Sequence, residues 1–190
     1  MKKLTILGIP GSLRKDSFNR MLLNAAMEAA GEDCQVELAS IGDIPLYNQD
    51  LEETHGVPDS AKKLQAQIIH CDGLVIATPE YNNSVPGVLK NAIDWLSRPV
   101  SEIERVFKDL PVGMIGATPG SRGTSGAQIA WLPVWQALHT KMFNAAFVTL
   151  SKAGEVFDEA QHIKSAPIQK QIDHYMTLFV EFVKANRRLK

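Results

Sequence analysis

The chain has 190 residues, one ordinary domain or at most two small ones, and a chain of that length buries roughly 70% of its unfolded surface without staples. Lysine and arginine total 20 against 21 aspartates and glutamates, a formal net charge of -1, which argues against a dedicated nucleic-acid binder and lends nothing to a polybasic membrane anchor. The two cysteines, Cys34 and Cys71, are too few for a disulfide framework or a four-thiolate zinc site. The apolar run after Lys3 is too short for a secretion signal, and no later run approaches a membrane span, so a cytoplasmic chain with reduced thiols is expected.

Leu4 to Ile9 is a short apolar run of the kind covered on both faces of a sheet. A polar loop, 10–16, leads to helical spacing from about Phe18 to Ala30, and Gly31 stands where that helix stops. Residues 35–39 alternate as a second strand, and 40–58, with Pro45, Asn48, Gly56 and Pro58, reads as irregular. Asp59 or Ser60 is the expected cap of a helix to about His70; Gly73 to Ala77 is a third strand, and Pro86 opens a helix through Trp95-Leu96. Pro111 to Ala117 is a fourth strand. A helix within 124–139 should be kinked or split by Pro133, Phe143 to Leu150 is a fifth strand, and a last helix runs from about Pro167 to Asn186.

Buried strands that alternate with helices imply an α/β fold, a doubly wound parallel sheet with helices on both faces. There is no repeat, low-complexity stretch or Gly/Ser linker, so residues 1–190 read as one domain. Ligands of such sheets bind beyond the carboxyl ends of the strands, which directs attention to the loops after strands one, three and four.

The first of these, Gly8 to Asn19, lacks the G-x-G-x-x-G dinucleotide fingerprint, the Walker A ending and the cysteine of a phosphatase loop. Its inventory suits one phosphate: Gly11 for a tight turn, hydrogen bonds from Ser12, Ser17 and Asn19, the Arg14 fork, and the N–H groups of the next helix. A Ser/Asn-capped helix with solvated Arg and Lys is the plainer reading of the same residues. The second loop, Thr78 to Gly87, has Thr78-Pro79 where a response regulator carries its phosphoacceptor aspartate. Its prolines, the face of Tyr81 and the amides of Asn82 and Asn83 suit a planar heteroaromatic ring, or simply a Pro/Asn-rich turn. The third, Gly116 to Thr124, is glycine-rich with Arg122 in it; it reads equally as a strand-to-helix turn with Thr124 as N-cap. The five histidines show no metal-ligand spacing, no G-x-S-x-G elbow is present, and Trp131 and Trp135 read as packing residues.

Together these loops resemble the NADPH-dependent FMN reductases, the flavodoxin-like group that includes chromate and quinone reductases. The resemblance rests on Gly11 to Asn19, Ile44-Pro45-Leu46-Tyr47-Asn48, and the long segment Thr78 to Pro99. It implies a five-stranded flavodoxin-like sheet in the order 2-1-3-4-5 and one tightly held FMN. Carried over, Ser12, Arg14, Ser17 and Asn19, with Phe18 among them, hold the phosphate. Pro79, Glu80, Tyr81, Asn82 and Asn83 line the isoalloxazine, and Thr118, Gly120, Ser121, Arg122 and Gly123 approach its other edge. The chain departs from the family pattern at Gly126, Ile129, Pro133 and the two tryptophans, while Gln128 is kept.

The activity implied is a hydride relay from NADPH or NADH through FMN to a small-molecule acceptor such as a quinone, azo compound, metal oxyanion or flavin. No side-chain acid or base is required, so no catalytic residue is named. The rivals are an electron-carrier flavodoxin, against which the near-neutral charge speaks, and a flavin-loaded regulatory protein; two cysteines disfavour an iron–sulfur flavoprotein. A homodimer or homotetramer is expected, with apolar surface on the helices at 86–97 and 127–139 available for it.

Overall fold

Residues 3–32 and 34–188 are described by the computed structural model. Its centre is the set of short apolar runs, which pair as parallel strands: β1 (Leu4–Pro10), β2 (Cys34–Leu38), β3 (Gly73–Ala77) and β4 (Pro111–Ala117). The order is β2-β1-β3-β4, with Leu7 opposite Leu74 and Ile76 opposite Met114. Beyond β4, the expected fifth strand arrives in two pieces. β5 (Lys141–Met142) pairs with Pro111 and Val112, and β6 (Val148–Leu150) pairs with Ile115 to Ala117. The break has a tertiary cause. The Phe143 amide still donates to the Val112 carbonyl at 2.8 Å, but its ring turns into the aromatic cluster of Tyr175, Phe179 and Phe182, and the chain bulges through exposed Asn144 and Ala145 before it rejoins the ladder.

Period-two alternation assigns each strand residue to one of two helical layers. Ile6, Val75 and Ile115 face α1 (Phe18–Ala29) and α8 (Ala166–Ala185). Leu7, Ile9, Leu74, Ile76, Val112 and Met114 face the other layer, which holds α3 (Asp59–His70), α4 (Gly87–Leu96), α5 (Ile103–Phe107, after a turn of 3₁₀ helix at Val100–Glu102) and α6 (Ser125–Ala137). Both tryptophans of α6 are fully buried here, stacked 5.3 Å apart; Trp135 Nε1 donates to Met114 Sδ at 3.3 Å.

Three expectations are corrected. The stretch 40–58 is not wholly irregular: it contains α2 (Gln49–His55), capped by the Asn48 side chain, which accepts from Asp50 N at 2.9 Å. No residue of α2 is buried, so it left no apolar periodicity to read. Neither Asp59 nor Ser60 caps α3, since Pro58 holds the cap position and no side chain bonds to it. Nor does Pro133 split α6, which runs on both sides of it. The carbonyl that Pro133 leaves without a donor belongs to exposed Ile129, where water can serve it. The remaining element, α7 (Ala153–Val156), is a single turn after β6. Among the described residues no helix is long and apolar enough to cross a membrane.

The long helix α8 lies so close to the sheet that two strand positions beneath it admit only glycine. A Cβ on Gly73 would stand 2.6 Å from Val183, and one on Gly113 would stand 2.5 Å from the Tyr175 hydroxyl and 2.9 Å from the Phe179 ring. Gly113→Ala is therefore expected to cost about 1–3 kcal/mol through overpacking. That lowers the melting temperature by roughly 2–4 °C for each kcal/mol, and differential scanning calorimetry would read the shift.

Candidate functional site

The loops after β1, β3 and β4 meet at the carboxyl edge, and the contacts that join them are specific. Gly11 N donates to the Ala77 carbonyl at 2.8 Å, and a Cβ on Gly11 would stand 2.8 Å from Leu89 and 3.0 Å from Pro79. Only glycine brings the first loop this close to the second. The loop then turns through Ser12, whose Oγ accepts from Arg14 N at 3.3 Å, to Ser17, the N-cap of α1, whose Oγ accepts from Arg20 N at 3.4 Å. Among the described residues the amides of Ser12, Leu13, Lys15 and Asp16 meet no acceptor, and the first turn of α1 adds its own unpaired N–H groups. The Arg14 guanidinium lies 5.8 Å from the centroid of the Phe18 ring, and Phe18 stacks on Phe157 at 6.1 Å with the planes 10° apart.

Asn19 is committed to the fold. Its Nδ2 donates to the Ala117 carbonyl at 2.8 Å and its Oδ1 accepts from Ala117 N at 2.9 Å, so the side chain ties α1 to the end of β4.

The second loop is a two-residue hairpin. Tyr81 and Ser84 exchange backbone bonds of 3.2 and 3.0 Å, and the two central residues, Asn82 and Asn83, sit at φ 52° and 57°, the positive angles that Asn tolerates best after Gly. Glu80 reaches back to α6, where its Oε2 accepts from Ala127 N at 2.9 Å. A Cβ on Gly126 would stand 3.0 Å from that carboxylate and 3.1 Å from the Asn83 carbonyl, which gives the departure at Gly126 a physical reason. Thr124 holds the N-cap position of this helix, as expected, but Glu80 supplies the side-chain bond to its first turn; the Thr124 hydroxyl accepts from Gln128 Nε2 at 3.3 Å. In the third loop Thr118 N donates to the Leu150 carbonyl at 2.9 Å and Thr118 Oγ1 accepts from Gly120 N at 3.3 Å. Gly123, at φ 71°, passes so near the Thr149 carbonyl that a Cβ would approach it to 2.6 Å.

A cavity of about 230 Å³ opens where the loops meet. Its walls are Ser12, Arg14, Ser17, Phe18 and Asn19 from the first, Pro79, Glu80 and Tyr81 from the second, and Ala117, Thr118 and Pro119 from the third. Nine of the expected residues thus share one cavity. Asn82, Asn83, Gly120, Ser121, Arg122 and Gly123 are not among its walls; Asn82, Asn83 and Gly123 shape the turns that present the others. Sequence reasoning missed Ala117 and Pro119, which offer only backbone and ring carbons, and Phe157, which no local pattern connects to the first loop. The Ile44 to Asn48 segment lies outside the cavity. The Pro45 carbonyl accepts from Asn91 Nδ2 at 2.8 Å and Trp95 Nε1 at 2.9 Å, and Tyr47 N donates to Asn91 Oδ1 at 2.8 Å, stapling this excursion to α4.

The donor set suits a phosphorylated aromatic cofactor. Unpaired amides, two serine hydroxyls and a guanidinium lie at one end, and Pro79 and the Tyr81 face at the other. The sole carboxylate in the wall, Glu80, is occupied by a helix N-terminus. Neither cysteine contributes. Burial, with Asp72 adding to it, pushes the Cys34 thiol up to about 11, and Cys71 is more deeply buried still. Among the described residues no three His, Cys, Asp or Glu side chains converge to hold a metal ion.

This fold with this cavity defines a flavodoxin-like flavoprotein. The family model described as NADPH-dependent FMN reductase matches residues 4–155. The chain is 36% identical over 184 residues to a 2-hydroxy-1,4-benzoquinone reductase of a Burkholderia species, covering 97% of this chain and 98% of the relative. It is 41% identical over 155 residues to an NAD(P)H-dependent FMN reductase of Pseudomonas aeruginosa, 82% of each chain. The solved structure of FerB, a flavoenzyme NAD(P)H:(acceptor) oxidoreductase of Paracoccus denitrificans, superposes with a TM-score of 0.87 at 31% identity, covering 97% of this chain and all of that one. The chain belongs to the NADPH-dependent FMN reductase family. It is an oxidoreductase that uses FMN and a reduced nicotinamide nucleotide.

Because Asn19 satisfies both backbone groups of buried Ala117, Asn19→Ala is expected to cost about 2–3 kcal/mol. Urea denaturation measures this directly, and a loss below about 0.5 kcal/mol would mean the pair does not anchor α1.

Proposed function

We propose that the enzyme is an FMN-dependent NAD(P)H:quinone reductase, and that the cavity shared by the three loops is its flavin site. Ser12, Arg14, Ser17 and the start of α1 would take the phosphate, with Phe18 holding the Arg14 guanidinium in place and Asn19 fixing the helix from which the donors project. Pro79, Glu80, Tyr81 and the Asn82–Asn83 hairpin would border the ring system, and Thr118 with the Gly120–Gly123 turn, which includes Ser121 and Arg122, its other edge. When bound, FMN supplies the two-electron chemistry, accepting a hydride from the reduced nicotinamide and passing it to the acceptor. The protein's part is orientation and charge, and no side chain is asked to move a proton. Tyr81 is 45% exposed at the mouth, a flat face that admits planar molecules in succession. A quinone is the acceptor class this reading favours, and the Burkholderia relative's name supports it. The two buried thiols suit a reducing compartment, and we assign the enzyme to the cytoplasm.

We further propose a homodimer or homotetramer built on α6. Ile129 is 66% and Leu132 47% exposed, and Pro133 and Gln136 continue the same outward face, whereas α4 turns its Lys90–Asp94 ion pair outward. Light scattering at micromolar concentration is expected to give two or four chains, and a monomer would remove this assignment.

The purified protein is expected to be yellow, to bleach on anaerobic addition of NADPH and to recover its colour with benzoquinone. Persistent colour with both NADPH and NADH would make it an electron carrier, and a colourless protein that takes up no FMN would overturn the flavin reading. Arg14→Ala is expected to weaken FMN about tenfold or more, the scale of one charge-assisted phosphate contact. Riboflavin, which lacks the phosphate, should bind the variant and the parent alike in a fluorescence titration.

A further inference from the structure

A second cavity, of about 270 Å³, adjoins the first. Its walls are Pro10, Ser12 and Leu13 from the loop after β1, Arg20 from α1, and Ser40, Ile41 and Gly42 from the loop after β2. Ser12, only 7% exposed, is a wall of both cavities.

The chemistry of these walls is one-sided. Among the described residues the Arg20 guanidinium has no carboxylate, carbonyl or ring partner, and no wall residue is acidic. The Ser40 hydroxyl accepts from Gly42 N at 3.2 Å, so the proton it carries is free to be donated, while that of Ser12 is turned to the first cavity. Buried Pro10 and Ile41 give the cavity a firm apolar floor.

The opposite end of the sheet supplies the contrast. A far larger hollow of about 1020 Å³ is rimmed by Arg105, Lys108, Lys141, Arg187 and Arg188. The first four pair with Glu102, Glu104, Asp109 and Asp72. Arg188 donates to the carbonyls of Ile68 and Val106 at 2.7 and 2.9 Å. Cations that serve the fold are engaged, and that hollow has none to spare. At the carboxyl edge Lys15, Arg122 and Lys152 also lack partners among the described residues, but they border neither cavity. Arg14 is matched to the flavin phosphate, which leaves Arg20 as the unengaged cation that faces a cavity.

We propose that this second cavity is a phosphate-monoester subsite, with Arg20 as its charge and Ser40 as its hydroxyl donor. A phosphate monoester is close to a dianion at neutral pH, and a guanidinium fork beside a hydroxyl complements it. Two sources share that chemistry: the 2′-phosphate of NADPH, the group that separates it from NADH, and a free phosphate. The first rests on the nicotinamide-nucleotide reading above and makes Arg20 the residue that selects between the two coenzymes.

The test uses the FMN-loaded enzyme, so that the cofactor's own phosphate site is filled, and the variants Arg20→Gln and Arg20→Lys. If NADPH is the source, Arg20→Gln raises the ratio of KM for NADPH to KM for NADH about tenfold, as loss of one charge-assisted contact requires, and Arg20→Lys recovers part of it. Adenosine 2′-monophosphate then competes with NADPH better than adenosine 5′-monophosphate does, and loses that advantage in Arg20→Gln. If a free phosphate is the source, the coenzyme ratio stays constant while inorganic phosphate, followed by ³¹P NMR, binds the parent and not Arg20→Gln. A constant ratio with no phosphate binding overturns the subsite. An enzyme that oxidises neither coenzyme overturns the proposed function instead, and the phosphate titration still reads the cavity.

Discussion

The site hangs on the pair of hydrogen bonds between Asn19 and the backbone of Ala117. They join the first turn of α1 to the last residue of β4, and β3 lies between β1 and β4 in the sheet. A single side chain therefore spans the strand junction where the cavity opens. Buried from water, the two bonds cannot be exchanged cheaply for solvent, so the N-terminus of α1 is held in register with the end of β4. That register is what brings Ser12, Arg14 and Ser17 to the same space as Pro79 and Thr118.

Around this anchor the loops are set by close approach more than by side-chain contact. Gly11 presses the first loop against Pro79 and Leu89, Gly126 brings the start of α6 under Glu80, and Gly123 lets the third loop graze Thr149. Each contact needs the absence of a Cβ. The result is a cavity in which residues of all three loops are held by close backbone approach, with Pro79 and Pro119 stiffening two of its walls. Glu80 illustrates the economy of the arrangement. Its carboxylate, the one acid in the cavity wall, faces the positive end of α6.

The strands were legible in the sequence because each is buried on both faces, and a run such as Leu74 to Ala77 has no polar residue to obscure it. The loops could be singled out through Ser12, Arg14, Ser17 and Tyr81, residue types that polar and aromatic recognition draws on, and the structure brings all four into one cavity. What could not be read depends on tertiary structure. Nothing in the residues around Asn19 says that its amide meets Ala117 rather than a ligand. The break between β5 and β6 follows from where α8 puts its aromatic cluster, and α2 buries nothing. Phe157 backs the Phe18 wall of the cavity only because the chain returns after β6 to stack on it.

The bond from Ala127 to Glu80 has a mechanical side. It fastens the hairpin of Tyr81 to Ser84 onto a helix whose other surface, at Ile129 and Leu132, points away from the molecule. Hairpin and helix form one lever, with the Glu80 and Tyr81 wall of the cavity at its short arm. Whatever seats on the outer face of α6 grips that lever directly, so a contact made outside the cavity sets the stiffness of the wall within it.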